Sequence, residues 1–193
     1  MDLFMIFFAS IFVNNLALTY FLGMCPFISV SGDLKTAFGM GMAVTFVITL
    51  TAGINSLLYN FVLVPFEVEY LQYVSFIIVI AATVQVVELL IERFSPVLYI
   101  NMGVFLPLIT VNCAILGLSL FMIVRDYSFA ESVVFGFGGG VGWLVAIMGM
   151  AGIRTRLKFS NVPEALMGPG ITMIVTGLMA LGFMGFAGMV NVQ

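Results

Sequence analysis

The sequence contains no histidine and very little charge. Of its 193 residues, 8% are charged and 63% are apolar, with six basic and nine acidic side chains. A soluble domain carries about 25% charged residues, because it needs a polar shell. This composition therefore excludes a soluble enzyme and a secreted disulfide module, and the few scattered basic residues exclude a nucleic-acid partner. Histidine is the commonest metal ligand, and since this chain has none, any metal site must use other side chains as ligands.

Long apolar runs separated by short polar loops occupy nearly the whole chain. A helix crosses a membrane in about 20 apolar residues. The runs show no strand-like alternation, which disfavours a β-barrel. We therefore expect an all-α integral membrane protein that forms a single transmembrane domain over residues 1–193, surrounded by lipid. The expected spans are Leu3–Leu22, Ala37–Val64, Leu71–Ile91, Val97–Val124, Phe129–Ile153 and Ala165–Val190.

Basic residues are concentrated in alternate loops. The side that holds the second and fourth loops carries only Arg125, whereas the first, third and fifth loops carry all the other lysines and arginines. Basic loops stay in the cytoplasm. We therefore expect both termini on the outer side of the membrane. The loop residues placed in the cytoplasm are Lys35, Arg93, Arg154, Arg156 and Lys158.

The two halves of the chain, about 1–95 and 96–193, resemble each other. Each half has three expected spans, and its first span carries asparagine and cysteine beside helix-breaking residues. These are Asn14-Asn15 with Cys25-Pro26 in one half, and Pro107 with Asn112-Cys113 in the other. Because three is an odd number, the second half must enter from the opposite face. The predicted fold is six transmembrane helices in two inverted three-helix repeats, with interrupted first and fourth helices. Broken helices of such repeats often meet at a site near the midplane.

Cys25 and Cys113 are the only two thiols in the chain. Each is open to two simpler interpretations, as a packed apolar residue or as half of a disulfide. Their equivalent placement in the two halves favours a shared role instead. Two thiolates do not complete a tetrahedral metal site or an iron–sulfur cluster, which uses four ligands. A cluster here would need two more thiols from a second chain, so a partner protein is expected.

Two asparagines beside these breaks are further candidates. Asn15 and Asn112 are expected at membrane depth, where every amide must be hydrogen-bonded. They would either donate to cluster sulfurs or cap the broken helices, with plain hydrogen bonding between helices as the alternative. Dense glycines in the second, fifth and sixth spans predict close helix packing. Trp143 is a candidate anchor at the membrane surface, with a deeper position as the alternative.

Several motifs in the chain resemble a known family. They are VNN at 13–15, FLGMCPF at 21–27, GMGM at 39–42, GVFLPLITVNCA at 103–114, RDYSFAES at 125–132 and GVGW at 140–143. Over essentially its whole length the chain is similar to the paired integral membrane subunits of the Rnf complex and of the sodium-translocating NADH:quinone oxidoreductase. The first half resembles the A subunit of Rnf, and the second half resembles the E subunit of the quinone reductase. The short loop at 65–70 and the first cysteine motif favour the Rnf complex.

The resemblance implies a function and a cofactor. It implies that Cys25 and Cys113, with two cysteines of a homologous six-helix sister subunit, hold a [2Fe–2S] cluster inside the bacterial or archaeal inner membrane. Electrons would pass through it between flavin- and iron–sulfur-bearing subunits, coupled to export of Na⁺ or H⁺. The expected protein is thus a subunit of a Rnf-type ferredoxin:NAD oxidoreductase, an ion translocase, and is not catalytic alone. The alternatives are the E subunit of the quinone reductase, a secondary transporter or channel without a metal centre, and a purely structural subunit.

Overall fold

The described part of the chain is entirely helical. A computed structural model describes residues 3–94, 106–160, 163 and 166–186, and these ranges contain no β-strand. The all-α class is therefore confirmed. The α-helices are α1 (Leu3–Phe12), α2 (Met24–Val30), α3 (Leu34–Leu58), α4 (Gln72–Phe94), α5 (Leu106–Thr110), α6 (Cys113–Val124), α7 (Phe129–Leu157) and α8 (Pro169–Met184), with a π-helical turn at Tyr59–Leu63 and a 3₁₀ turn at Glu69–Leu71.

Four helical segments in the described ranges are long and apolar enough to cross a membrane. They are Leu34–Leu63, Gln72–Leu90, Pro107–Val124 and Phe129–Leu157, whereas α1 and α8 are apolar but shorter. The expected start of the fourth span and both expected ends of the sixth lie outside the described residues. The chain is thus a multi-pass membrane protein, and the count of six spans stays a prediction.

Both expected interruptions are present. Helix α1 ends at Phe12, and the chain runs through turns before α2 begins at Met24. Gly23, directly before α2, has a φ of 76°, in the left-handed region that favours glycine. In the second half, α5 ends at Thr110 and α6 begins at Cys113, so two residues separate the helices. Each break leaves backbone groups without helical partners, and these must be satisfied inside the protein.

The centre of the bundle is the long contact between α3 and α7, which close approach of glycines makes possible. A Cβ added at Gly140 would lie 2.7 Å from the Cα of Thr45, and one at Gly136 would lie 2.8 Å from the Cβ of Ala52. Another face of α7 packs on α1 through Gly142, where a Cβ would lie 3.0 Å from the Ile11 carbonyl oxygen. The prediction of close packing is confirmed in the fifth span and at Gly41 of the second, where a Cβ would lie 3.0 Å from Leu144. In the sixth span a Cβ at Gly177 or Gly182 would meet nothing within 4 Å, so the described residues show no close packing there.

The basic C-terminal end of α7 is hydrogen-bonded to the C-terminal end of α2 and to the turn that follows it. The guanidinium of Arg154 donates to the Ile28 carbonyl at 2.8 Å and to the Ser31 hydroxyl at 2.7 Å. Lys158 donates to the Gly32 carbonyl at 3.2 Å. These bonds satisfy carbonyls at the C-terminal end of α2 and hold the first and fifth loops at the same end of the bundle.

The glycine contact gives the first prediction. Gly140→Ala should destabilise the protein by about 1–3 kcal/mol, because the new methyl group overlaps the α3 backbone, which cannot rotate away. The matched control is Gly152→Ala on the same helix, where an added Cβ meets nothing within 4 Å. Unfolding of the purified protein in detergent measures both. Equal effects of the two changes would show that α3 and α7 do not approach as closely as described.

Candidate functional site

The two helix interruptions meet. The backbone N–H of Gly23 donates to the Sγ of Cys113 at 3.0 Å, although the two residues are 90 positions apart in the sequence. A Cβ at Gly23 would lie 2.9 Å from the Oδ1 of Asn112 and 2.7 Å from the Nε1 of Trp143. Only glycine fits here, both for its left-handed φ and for the lack of space. The break between α1 and α2 thus lies directly against the break between α5 and α6.

Both cysteines lie in the first turn of the helix that follows a break. Cys25 is the second residue of α2, and Cys113 is the first residue of α6. Both thiols are free and exposed on the surface of the chain. The site therefore offers sulfur donors that a ligand outside the chain can reach.

Asn15 satisfies the first break from within. Its side chain is completely buried. Its Nδ2 donates to the carbonyls of Ile11 at 3.0 Å and of Gly142 at 2.8 Å, and its Oδ1 accepts from the N–H groups of Ala17 at 3.1 Å and Leu18 at 3.2 Å. These bonds use the whole capacity of the amide. Of the three expected roles, the structure gives Asn15 two, since it caps the broken helix and hydrogen-bonds to α7 through Gly142.

Asn112 caps the second break, and part of its amide stays unused. Its Oδ1 accepts from the Ala114 N–H at 3.0 Å, which makes it the N-cap of α6. Its Nδ2 is buried and has no hydrogen-bond partner among the described residues. A role beyond capping is thus still open to the Nδ2 of Asn112.

Trp143 is a part of the site that the sequence did not identify. It takes the deeper of the two expected positions, since it is 0% exposed and packs edge-on against Phe27 at 6.3 Å between ring centroids. Its Nε1 is buried without a hydrogen-bond partner in the described part of the chain. The sequence feature that could have identified it is the single tryptophan within a run of glycines. Such a residue packs closely against other helices, and a buried indole N–H normally needs an acceptor.

A second polar cluster ties the first break to the end of α6. The Oδ1 of Asn14 accepts from the Tyr20 hydroxyl at 3.1 Å and from Arg125 at 3.3 Å. Arg125 also donates to the Tyr127 hydroxyl at 3.3 Å and lies 5.7 Å from the centroid of the Phe135 ring. All these groups are partnered, so this cluster stabilises the break and offers no open ligand set.

The described residues of this chain contain no group of three or more histidine, cysteine, aspartate or glutamate side chains that would hold a metal ion. The site therefore provides at most the two thiols of Cys25 and Cys113. Two thiols alone do not complete a four-thiolate centre.

Comparison with known proteins agrees with the motifs. The family described as "Rnf-Nqr subunit, membrane protein" matches residues 3–190. A protein of Serratia proteamaculans, named as the E subunit of a Na(+)-translocating NADH-quinone reductase, is 54% identical over 189 residues, which cover 95% of this chain and 96% of that protein. Both cysteine segments lie within the family match. The resemblance inferred from the motifs is confirmed.

The buried amide of Asn15 gives the second prediction. Asn15→Ala removes the hydrogen-bond partner of the Ile11 carbonyl and of the Ala17 and Leu18 N–H groups. Each such buried group that is left unpaired costs about 1–3 kcal/mol. We expect a loss of stability larger than that of the neighbouring change Asn14→Ala, whose partners Tyr20 and Arg125 are only partly buried. Thermal unfolding in detergent compares the two variants. An equal or smaller loss for Asn15→Ala would contradict its capping role.

Proposed function

This chain belongs to the Rnf-Nqr family of membrane subunits, and from that premise we propose that it carries electrons across the membrane within an ion-translocating oxidoreductase. Cys25 and Cys113 hold a [2Fe–2S] cluster together with two thiolates of a homologous six-helix sister subunit. The observation that carries the proposal is the hydrogen bond from Gly23 to the Cys113 sulfur, because it places both cysteine-bearing breaks at one point.

The donor set fits such a cluster. Iron–sulfur clusters are held by cysteine thiolates, and hydrogen bonds to their sulfurs tune them. The chain offers two free, exposed thiols and one backbone N–H already on a sulfur. It also has two buried N–H groups, on Asn112 and Trp143, without partners among the described residues. These features agree with half of a shared site and need a second chain to complete it.

The residues of this chain have three tasks in the proposed function. When bound, the cluster supplies a stopping point for one electron within the hydrocarbon. Cys25 and Cys113 bind it, Asn15 and Asn112 hold the broken helices that present them, and the apolar bundle excludes water. Flavin- and iron–sulfur-bearing subunits on the two sides would deliver and accept the electrons. Negative charge on the thiolates is costly in this medium, so a nearby cation would offset it, which links electron transfer to ion export.

Helix packing supports the two inverted repeats. The interrupted helix α1 of the first half packs on α7, and the interrupted α6 of the second half packs on α3. Each broken helix thus contacts the middle helix of the opposite half, as expected for repeats of 1–95 and 96–193. The bonds from Arg154 and Lys158 to the segment after α2 gather basic loops at one end of the bundle. This supports a cytoplasmic position for that end and outer termini.

Between the two complexes, the comparison favours the quinone reductase. The loop at 65–70 and the first cysteine motif pointed to Rnf. The relative from Serratia, at 54% identity, carries the name of the E subunit of a Na⁺-translocating NADH-quinone reductase. We therefore propose the quinone reductase as the parent complex in the inner membrane, with Na⁺ as the coupling ion.

Removal of either thiol provides the third prediction. In the complex, Cys25→Ala or Cys113→Ala should abolish the electron paramagnetic resonance signal of the reduced cluster and lower the iron and acid-labile sulfide content. Each variant removes one of four ligands. Met24→Leu, beside Cys25 in the same helix, is the matched control and should keep the signal. A cluster signal that persists in both alanine variants would leave the cysteines as packing residues only.

Thiol accessibility gives the fourth prediction. Both cysteines are exposed on this chain, so a thiol that meets a sister subunit must become covered on assembly. In the intact complex we expect neither thiol to react with a maleimide. After denaturation in SDS and removal of iron, both should react, as mass spectrometry would show. Free reaction of both thiols in the intact complex would contradict a shared buried site.

A further inference from the structure

Trp143 has a buried polar group that packing does not explain. The side chain is 0% exposed, and its Nε1 has no hydrogen-bond partner within the described ranges. A buried N–H without an acceptor costs free energy, so native proteins nearly always satisfy it. Phenylalanine would fill a similar volume against Phe27 without this cost. The indole nitrogen therefore needs an acceptor that is not part of the described chain.

The position of Nε1 indicates where that acceptor lies. Nε1 is 2.7 Å from the point that a Cβ on Gly23 would occupy. The backbone N–H of that same glycine is the group that donates to the Cys113 sulfur. The indole N–H therefore lies at the junction of the two interruptions, next to the cysteine-bearing turns. Trp143 does not serve as an anchor at the surface of the bundle, because its side chain is buried.

The surrounding structure holds the indole at this place. The preceding residue, Gly142, packs against α1, and its carbonyl accepts the bond from Asn15. Phe27, two residues after Cys25, is itself completely buried and contacts the indole ring edge-on. The backbone before the ring is thus held against α1, and the ring itself packs on Phe27 of α2, which restricts rotation of the indole N–H toward another partner.

The Oδ1 of Asn112 lies near the indole, but it already accepts from Ala114 and makes no bond to Nε1. A sulfur atom is the further acceptor that this location offers. The exposed polar side chains beside the junction are the two thiols. Their sulfur atoms accept hydrogen bonds weakly when neutral and more strongly as thiolates or cluster sulfurs. The unpartnered Nδ2 of Asn112 lies beside Cys113 in the sequence and is a second buried donor at the same break. Two buried donors without acceptors, next to two sulfurs that face outward, indicate an anionic sulfur centre.

We infer that Trp143 donates its indole N–H to a sulfur atom of the group that Cys25 and Cys113 hold, as a positioning residue. This inference rests on the proposed function. A donor aimed at sulfur stabilises the more negative, reduced state of an iron–sulfur cluster relative to the oxidised state. Trp143 therefore raises the reduction potential of the centre, and it takes no part in binding iron.

The fifth prediction tests this with the intact complex that carries Trp143→Phe. Iron and sulfide content should match the unmodified complex, since both thiols remain. In a redox titration followed by electron paramagnetic resonance, the ratio of reduced to oxidised cluster at a fixed applied potential should fall about tenfold, as expected for the loss of one hydrogen bond to a charged group. Replacement of the indole by its benzothiophene analogue, which has the same shape without the N–H, should give the same fall.

The matched control is Met150→Leu, a buried change on the same helix two turns beyond Trp143, which keeps the indole N–H and its contact with Phe27. It should leave the ratio unchanged. If the cluster is present and the ratio does not fall in either Trp143 replacement, or if Met150→Leu lowers it as much, the inference is wrong and the proposed function stands. If the unmodified complex shows no cluster signal that depends on Cys25 and Cys113, the proposed function is overturned instead. If Trp143→Phe fails to assemble, the benzothiophene analogue decides.

Discussion

Every backbone polar group within a membrane must find a partner inside the protein, and the site follows from that constraint. Two apolar segments of this chain are interrupted, and each break frees N–H and carbonyl groups. Asn15 pairs those of the first break, and Asn112 caps the helix after the second. The N–H of Gly23 takes the Cys113 sulfur as its acceptor. A sulfur that already receives a backbone hydrogen bond is held in place before any metal binds.

The glycines of α7 connect packing to this site. Gly136 and Gly140 let α7 approach α3, and Gly142 lets it approach α1. The same helix segment then presents the Gly142 carbonyl to Asn15 and the Trp143 indole to the junction of the breaks. Larger side chains on α7 would separate it from α1 and withdraw both groups. The same run of glycines is therefore needed both for close packing of the bundle and for assembly of the site.

The sequence predicted the features that depend on local pattern, and missed those that depend on long-range packing. Apolar runs predicted the helices, and the Asn, Gly and Pro residues near Cys25 and Cys113 predicted both breaks. Contact between the breaks followed from the inverted-repeat hypothesis. The sequence left two positions open for Trp143, because the helix face that meets another helix is set by packing between distant segments. It also left several roles open for Asn15, since its partner Gly142 is 127 residues away.

The exposure of the cysteines argues most directly for a second chain. Free cysteine is among the most buried residue types, and one that serves only for packing belongs in the core. In this chain the polar amides are more buried than the cysteines. Asn15 and Asn112 are 0% and 3% exposed, whereas Cys25 and Cys113 are exposed at the surface. Exposed apolar side chains need no explanation in a lipid-facing protein, but two thiols beside a polar, hydrogen-bonded junction do. A chain that buries the supports of a site and leaves its sulfurs at the surface is built to complete that site against another surface.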